Sequence, residues 1–172
     1  YGDQAASPPV VSPDGRMVVF GVEEPGGLTR LWLRRLDEFN ARPLNGTDGA
    51  AYAFWSPDSR HVAYFRGGRL RRIEVQTGRE QAIGGAGAYS PRGGSWSSSG
   101  DIVFAPNANS GIHVMKASGG VALPITQVDP EIPDGSHRWP FFLPDGQRFL
   151  FTVWTNDHSA RERFGGVYLG AL

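Results

Sequence analysis

A short turn motif recurs four times in this chain, and its spacing constrains the fold more than any other feature. The copies begin at Ser12, Ser56, Ser97 and Leu143, so the intervals between them are 44, 41 and 46 residues. They read Ser-Pro-Asp-Gly, Ser-Pro-Asp-Ser, Ser-Ser-Ser-Gly and Leu-Pro-Asp-Gly. Proline presets φ for a turn, aspartate bonds its own backbone, and glycine takes the left-handed conformation that closes a hairpin. A period of about 40 to 50 residues is typical of the four-stranded blades of a β-propeller.

The segments around each turn repeat as well. A short, often aromatic run precedes each turn, and a β-branched or aromatic run follows it, which predicts the two innermost strands of each blade. A third apolar segment is present in every repeat, whereas a weaker and more polar fourth segment follows only in the first three. After Gly170-Ala171-Leu172 the last repeat has no segment for its outermost strand. No window of eleven residues free of Gly and Pro has helical spacing, so no long helix is predicted.

We therefore predict an all-β chain, a β-propeller segment of four consecutive four-stranded blades, the last one incomplete. The approximate blade limits are 7–49, 50–87, 88–128 and 129–172, within one propeller segment that spans residues 1–172. Residues 1–6 could supply at most a short closing strand, so we expect a slice of a larger ring. In an open arc, Val18, Phe20, Phe149 and Phe151 are expected to lose part of their cover and to favour a contact with further blades or a second copy.

Composition excludes several classes of partner. The 17 Lys and Arg residues balance the 17 Asp and Glu residues, so no overall charge attracts nucleic acid or an anionic bilayer. The chain contains no cysteine, which excludes disulfides and thiolate metal sites and fits either side of a membrane. No stretch approaches the roughly 18 apolar residues of a membrane span. We expect no nucleic-acid partner and no membrane contact by this segment.

The sequence contains no recognisable catalytic or metal-binding motif. The nearest approach to a Gly-x-Ser-x-Gly elbow, around Ser95, fails at its last position. The four histidines lack metal-ligand spacing, and no calcium loop is present. Loop carboxylates, such as Asp129, Glu131 and Asp134, are interpreted as solvated charges. The sequence therefore predicts no catalytic residue, no metal ligand and no cofactor.

One cluster of side chains is a candidate binding site. His137, Arg138 and Trp139 open the inner strand of the fourth blade, with Arg92 in the preceding blade's loop as a neighbour. An imidazole, a guanidinium and an aromatic ring at the rim of the central channel could hold an anionic or peptide ligand. The alternative is structural: Trp139 packs between blades while Arg138 and His137 bond loop carbonyls. The sequence is compatible with both interpretations.

The repeats resemble the TolB-type, WD-like β-propeller family. The segments that carry the resemblance begin at Ser12, Leu31, Gly46, Phe54, Ile102, Ser136 and Phe142. They are most similar to the propeller region of bacterial, particularly acidobacterial, eukaryotic-type Ser/Thr protein kinases, where it follows the kinase and membrane-spanning segments. The third repeat departs from the pattern, with Ser98-Ser99 in place of Pro-Asp. No kinase signature is present in this chain.

The resemblance implies a non-catalytic interaction or sensory module with a protein or peptide ligand. It would be part of a larger extracytoplasmic propeller, periplasmic or cell-surface, in a membrane-anchored signalling protein. Two alternatives remain: the propeller domain of a prolyl-oligopeptidase-like serine peptidase, and a periplasmic TolB-like scaffold.

Overall fold

A computed structural model describes residues 7–133 and 135–172, and it confirms the all-β propeller fold. The described chain forms four antiparallel sheets in sequence order, which we call blades 1 to 4. Blades 1 to 3 have four strands each, and blade 4 has three. Residues 1–6, which were expected to supply a closing strand, and Asp134, one of the loop carboxylates, lie outside the described residues.

Every blade follows the chain order from its innermost to its outermost strand. Blade 1 contains β1 (Val10–Val11), β2 (Met17–Glu23), β3 (Thr29–Arg35) and β4 (Ala41–Pro43). Blade 2 contains β5 (Ala51–Trp55), β6 (His61–Arg66), β7 (Gly68–Glu74) and β8 (Glu80–Ala88). Blade 3 contains β9 (Gly94–Trp96), β10 (Asp101–Phe104), β11 (His113–Lys116) and β12 (Leu123–Pro124). Blade 4 contains β13 (Ser136–Phe142), β14 (Arg148–Trp154) and β15 (Gly166–Ala171), with helix α1 (His158–Phe164) between the last two.

The repeated turn joins the two innermost strands of each blade in the same way. The fourth residue of each motif donates its N–H to the carbonyl of the first, at 2.8 to 3.1 Å. In blade 1 the Ser12 hydroxyl donates to Asp14, which also accepts the Arg16 N–H. The third copy keeps the turn although it lacks Pro and Asp, because Ser99 bonds the Ser97 hydroxyl at 2.8 Å. The sequence departure at this turn therefore does not change the blade.

Among the described residues, the core consists of three apolar clusters, one at each junction between consecutive blades. Val19 and Leu31 of blade 1 pack on Tyr64 of blade 2, and Phe149 and Phe151 of blade 4 pack on blade 3. Within the described residues no such cluster joins blade 4 to blade 1. The expectation that Phe149 and Phe151 lose cover in an open arc is wrong, because the alternation of β14 turns them toward blade 3, where both are buried.

Helix α1 is two turns long and was not predicted, although it does not conflict with the expected absence of long helices. Asp157 caps it by accepting the Ala160 N–H at 2.7 Å, and Ala160 and Phe164 pack on the core of blades 3 and 4. Among the helices of the described chain, none has the length and hydropathy needed to cross a membrane.

Candidate functional site

At or near the start of the inner strand in blades 2, 3 and 4, one residue has a left-handed backbone conformation. These residues are Tyr52 at φ 49°, Gly93 at φ 93° and Trp139 at φ 51°, each four positions before the turn motif of its blade. In β5 and β13 the same position coincides with a break in strand register. An aromatic residue rarely adopts this conformation, and such strained positions concentrate at binding sites. The rim end of blade 4 is therefore a candidate site on backbone grounds.

Trp139 is held at this position by the neighbouring blade. Its N–H donates to the Arg92 carbonyl at 2.7 Å. A Cβ atom on Gly93 would lie 3.1 Å from the Trp139 Cα atom, and Gly93 has φ 93°, so both the close approach of the two strands and the backbone conformation favour glycine there. The indole meets the Trp154 ring edge-on at 5.9 Å, yet 44% of the residue stays exposed. Trp139 therefore presents an anchored aromatic surface at the rim.

Arg138 and His137 are buried and connect loops. The Arg138 guanidinium donates to the Ser136 hydroxyl at 2.8 Å and to the Ala108 carbonyl at 3.3 Å, and it lies 5.3 Å from the centre of the Trp154 ring. The His137 ring lies 2.7 Å from the Thr126 hydroxyl and 4.7 Å from the centre of the Phe151 ring. Burial lowers the pKa of His137, which favours the neutral imidazole.

A polar concavity of about 520 Å³, here called the rim cleft, opens between blades 3 and 4. Its lining consists of Ser90, Arg92, Asn107, Ala108, Asn109, Arg138 and Asn156. Arg92 donates to the Pro91 carbonyl at 2.8 Å, which fixes its side chain along its own loop. Asn107 donates to the Gly87 carbonyl at 3.2 Å, whereas Asn109 and Asn156 are exposed. The cleft thus combines fixed guanidinium groups with accessible amides.

The structure brings together part of the sequence-predicted set. Arg92 and Arg138 line the same cleft, Trp139 bonds Arg92, and His137 lies in the core between blades 3 and 4. Ligand binding by these four residues stays a prediction. Sequence reasoning missed the asparagines because they come from two loops far apart in the chain. The available signal was their position in polar loops after the second strands of blades 3 and 4.

The structure gives Ser95, the residue nearest to a hydrolase motif, a structural role, and it places no metal-binding cluster among the described residues. The Ser95 hydroxyl accepts the Phe142 N–H at 3.1 Å and so connects the inner strands of blades 3 and 4. Across residues 7–133 and 135–172, no group of three histidine or carboxylate side chains is placed to hold a metal ion.

Comparison with known proteins supports the fold. The sequence matches no protein-family model. It also matches no curated protein. Among solved structures, the chain superposes on a TolB-type protein from Agrobacterium tumefaciens with a TM-score of 0.70 and 19% identity, covering 86% of this chain and 53% of that one. TolB from Acinetobacter baumannii gives 0.69 and 18%, covering 95% and 40%, and a puromycin hydrolase gives 0.60 and 19%, covering 86% and 25%. The chain thus spans about half the length of these TolB structures.

Proposed function

We propose that this chain is a non-catalytic binding module whose rim cleft holds a peptide segment of a partner protein. The observation that carries the proposal is the rim cleft itself, whose lining includes the exposed amides of Asn109 and Asn156. It also includes Arg92, whose carbonyl holds the backbone of the half-exposed Trp139. Asparagine side chains both donate and accept hydrogen bonds, as the peptide backbone requires, and the exposed face of Trp139 offers apolar contact. Binding and catalytic residues commonly lie on loops that a rigid scaffold positions.

The test begins with a random peptide library selected on the immobilised chain. Enriched peptides are then titrated against the wild type and against a variant with both Asn109→Ala and Asn156→Ala. Because two hydrogen bonds of about 1 kcal/mol each are lost, binding should weaken about tenfold or more. Asn45→Ala, at an exposed asparagine of blade 1, is the matched control and should bind like the wild type.

Two results would contradict this function. One is the enrichment of no peptide in repeated selections. The other is equal binding by the double variant and by Asn45→Ala, which would place the ligand elsewhere on the molecule.

We further propose that the module belongs to a larger extracytoplasmic propeller of a membrane-anchored signalling protein. Resemblance to the propeller region of bacterial kinases supports this context, and similarity to TolB structures supports a periplasmic scaffold as the alternative. The superposition on a puromycin hydrolase favours a second candidate, the propeller of a serine peptidase. The full-length gene distinguishes them: a kinase domain upstream supports the first, and a Gly-x-Ser-x-Gly elbow downstream supports the peptidase.

A further inference from the structure

Each blade turns one sheet face toward the next blade in the chain and the other toward the preceding blade. We call these the forward face and the backward face. Aligned by strand pairing, Val19, Ala63, Val103 and Leu150 occupy one forward position of the second strand. The third strands align in the same way, and their forward position is occupied by Leu31, Leu70, Ile112 and Val167.

Blade 4 has a forward face of the same apolar kind, but nothing in the described chain covers it. Leu31, Leu70 and Ile112 are all 0% exposed, whereas the equivalent Val167 is 69% exposed. Leu169 and Phe141, which pair with Leu150 on either side, are 59% and 65% exposed. In the first three blades this face is buried only because another blade packs on it.

Blade 1 also has an apolar face that is incompletely buried, and in its case this is the backward face. Val18 and Phe20 are equivalent to Val62 and Tyr64 of blade 2, which are 0% exposed against blade 1. In blade 1 both are only half-buried, and Val11 on the same face is 54% exposed. The chain therefore carries both halves of a blade-to-blade junction, one at each end of the arc.

We propose that the forward face of blade 4 packs on the backward face of blade 1 of a second copy of this chain. The three internal junctions, which join the same two kinds of face, are the pattern for this contact. A head-to-tail contact closes into a ring when the rotation permits, and two arcs of four blades give eight, within the range of closed propellers. The contact leaves the rim cleft between blades 3 and 4 of each copy unchanged, so it does not depend on peptide binding there. The second copy occupies the place that further blades would take in a larger propeller, so this contact is the alternative to that context.

Light scattering on the purified chain tests the stoichiometry. The wild type should have twice the 18.7 kDa mass of one chain at high concentration. A forward variant with Val167→Glu and Leu169→Glu, and a backward variant with Val11→Glu and Phe20→Glu, should each be monomeric. A control variant with Val121→Glu and Leu123→Glu, at exposed positions near the outer edge of blade 3, should stay dimeric. Circular dichroism confirms that each variant is folded.

Mixing the variants tests the head-to-tail geometry. The forward variant keeps its backward face and the backward variant keeps its forward face, so an equimolar mixture should regain a dimer of one copy of each, held by the one junction whose two faces are unchanged. A monomeric wild type at high concentration overturns the proposal. It is also overturned if one variant alone stays dimeric, if the mixture of folded variants stays monomeric, or if the control variant dissociates like the others.

Discussion

The fourth residue of each repeated turn has a left-handed backbone conformation, and this conformation determines which residue type is favoured there. Gly15 has φ 71°, and a Cβ atom there would meet nothing within 4 Å. The conformation rather than crowding therefore selects glycine, since an L-residue in this region costs about 1 to 2 kcal/mol. In blade 2 the same position is occupied by Ser59 at φ 59°, whose hydroxyl accepts the Asp14 N–H at 3.1 Å.

Gly15→Ala should lower the free energy of unfolding by about 1 kcal/mol, measured by denaturant titration. Gly85→Ala is the control, because Gly85 also has open space at its Cβ position but has no left-handed φ. That variant should be neutral or slightly stabilising, since alanine reduces the entropy of the unfolded chain. Equal destabilisation by both changes would show that φ is not the cause.

Glu80, the first residue of β8, connects that strand to β7 beside it and to β6, the next strand of the blade 2 sheet. Its carboxylate accepts from the Tyr64 hydroxyl at 2.6 Å, from Arg71 at 2.7 Å and from Arg66 at 2.9 Å. Burial alone would raise the pKa of Glu80, but these hydrogen bonds and the two guanidinium charges hold it below its usual value. Burial also raises the pKa of Tyr64, and the carboxylate beside it adds to that effect.

Glu80→Gln should destabilise the chain by about 2 kcal/mol at pH 7, because a charged acceptor is replaced by a neutral one. Since the pKa of Glu80 is lowered by folding, its contribution is complete above the ordinary value of 4.5 and is lost as the pH falls through the lower folded value. The difference between variant and wild type should therefore shrink below about pH 4.5. Urea titrations between pH 3 and 7 measure it, with the exposed Glu131→Gln as the control. A difference independent of pH would contradict the ionic role.

The sequence predicts those elements whose conformation is determined by residues close to them in the chain. The turn motif and its flanking runs locate the first and second strands, because Pro, Asp and Gly act within four residues. Helix α1 escapes prediction because it depends on packing of Ala160 and Phe164 against strands distant in the chain. The rim cleft was predicted only in part for the same reason: Asn109 and Asn156 meet only after blades 3 and 4 have packed.

In the part of the chain that the structure describes, each apolar cluster joins two blades that are consecutive in sequence, so stability depends on three separate junctions. In such an array, a defect at one junction weakens the adjacent units more than distant ones. Phe149 is fully buried at the junction of blades 3 and 4, with its ring 5.9 Å from that of Phe151 and 6.2 Å from that of Phe142. A substitution at Phe149 therefore tests whether the four blades unfold as one cooperative unit or whether each junction can weaken separately.

Phe149→Ala should destabilise the chain by about 3 to 5 kcal/mol, because it leaves a cavity among packed rings. Amide hydrogen exchange should show lost protection in β10 and β14 and much smaller changes in β2 and β3, which lie two junctions away. Phe39→Ala, at a residue that is 96% exposed, is the matched control and should change neither measurement. If protection falls equally in all four blades, the propeller unfolds as a single cooperative unit, and the view of separable junctions is wrong.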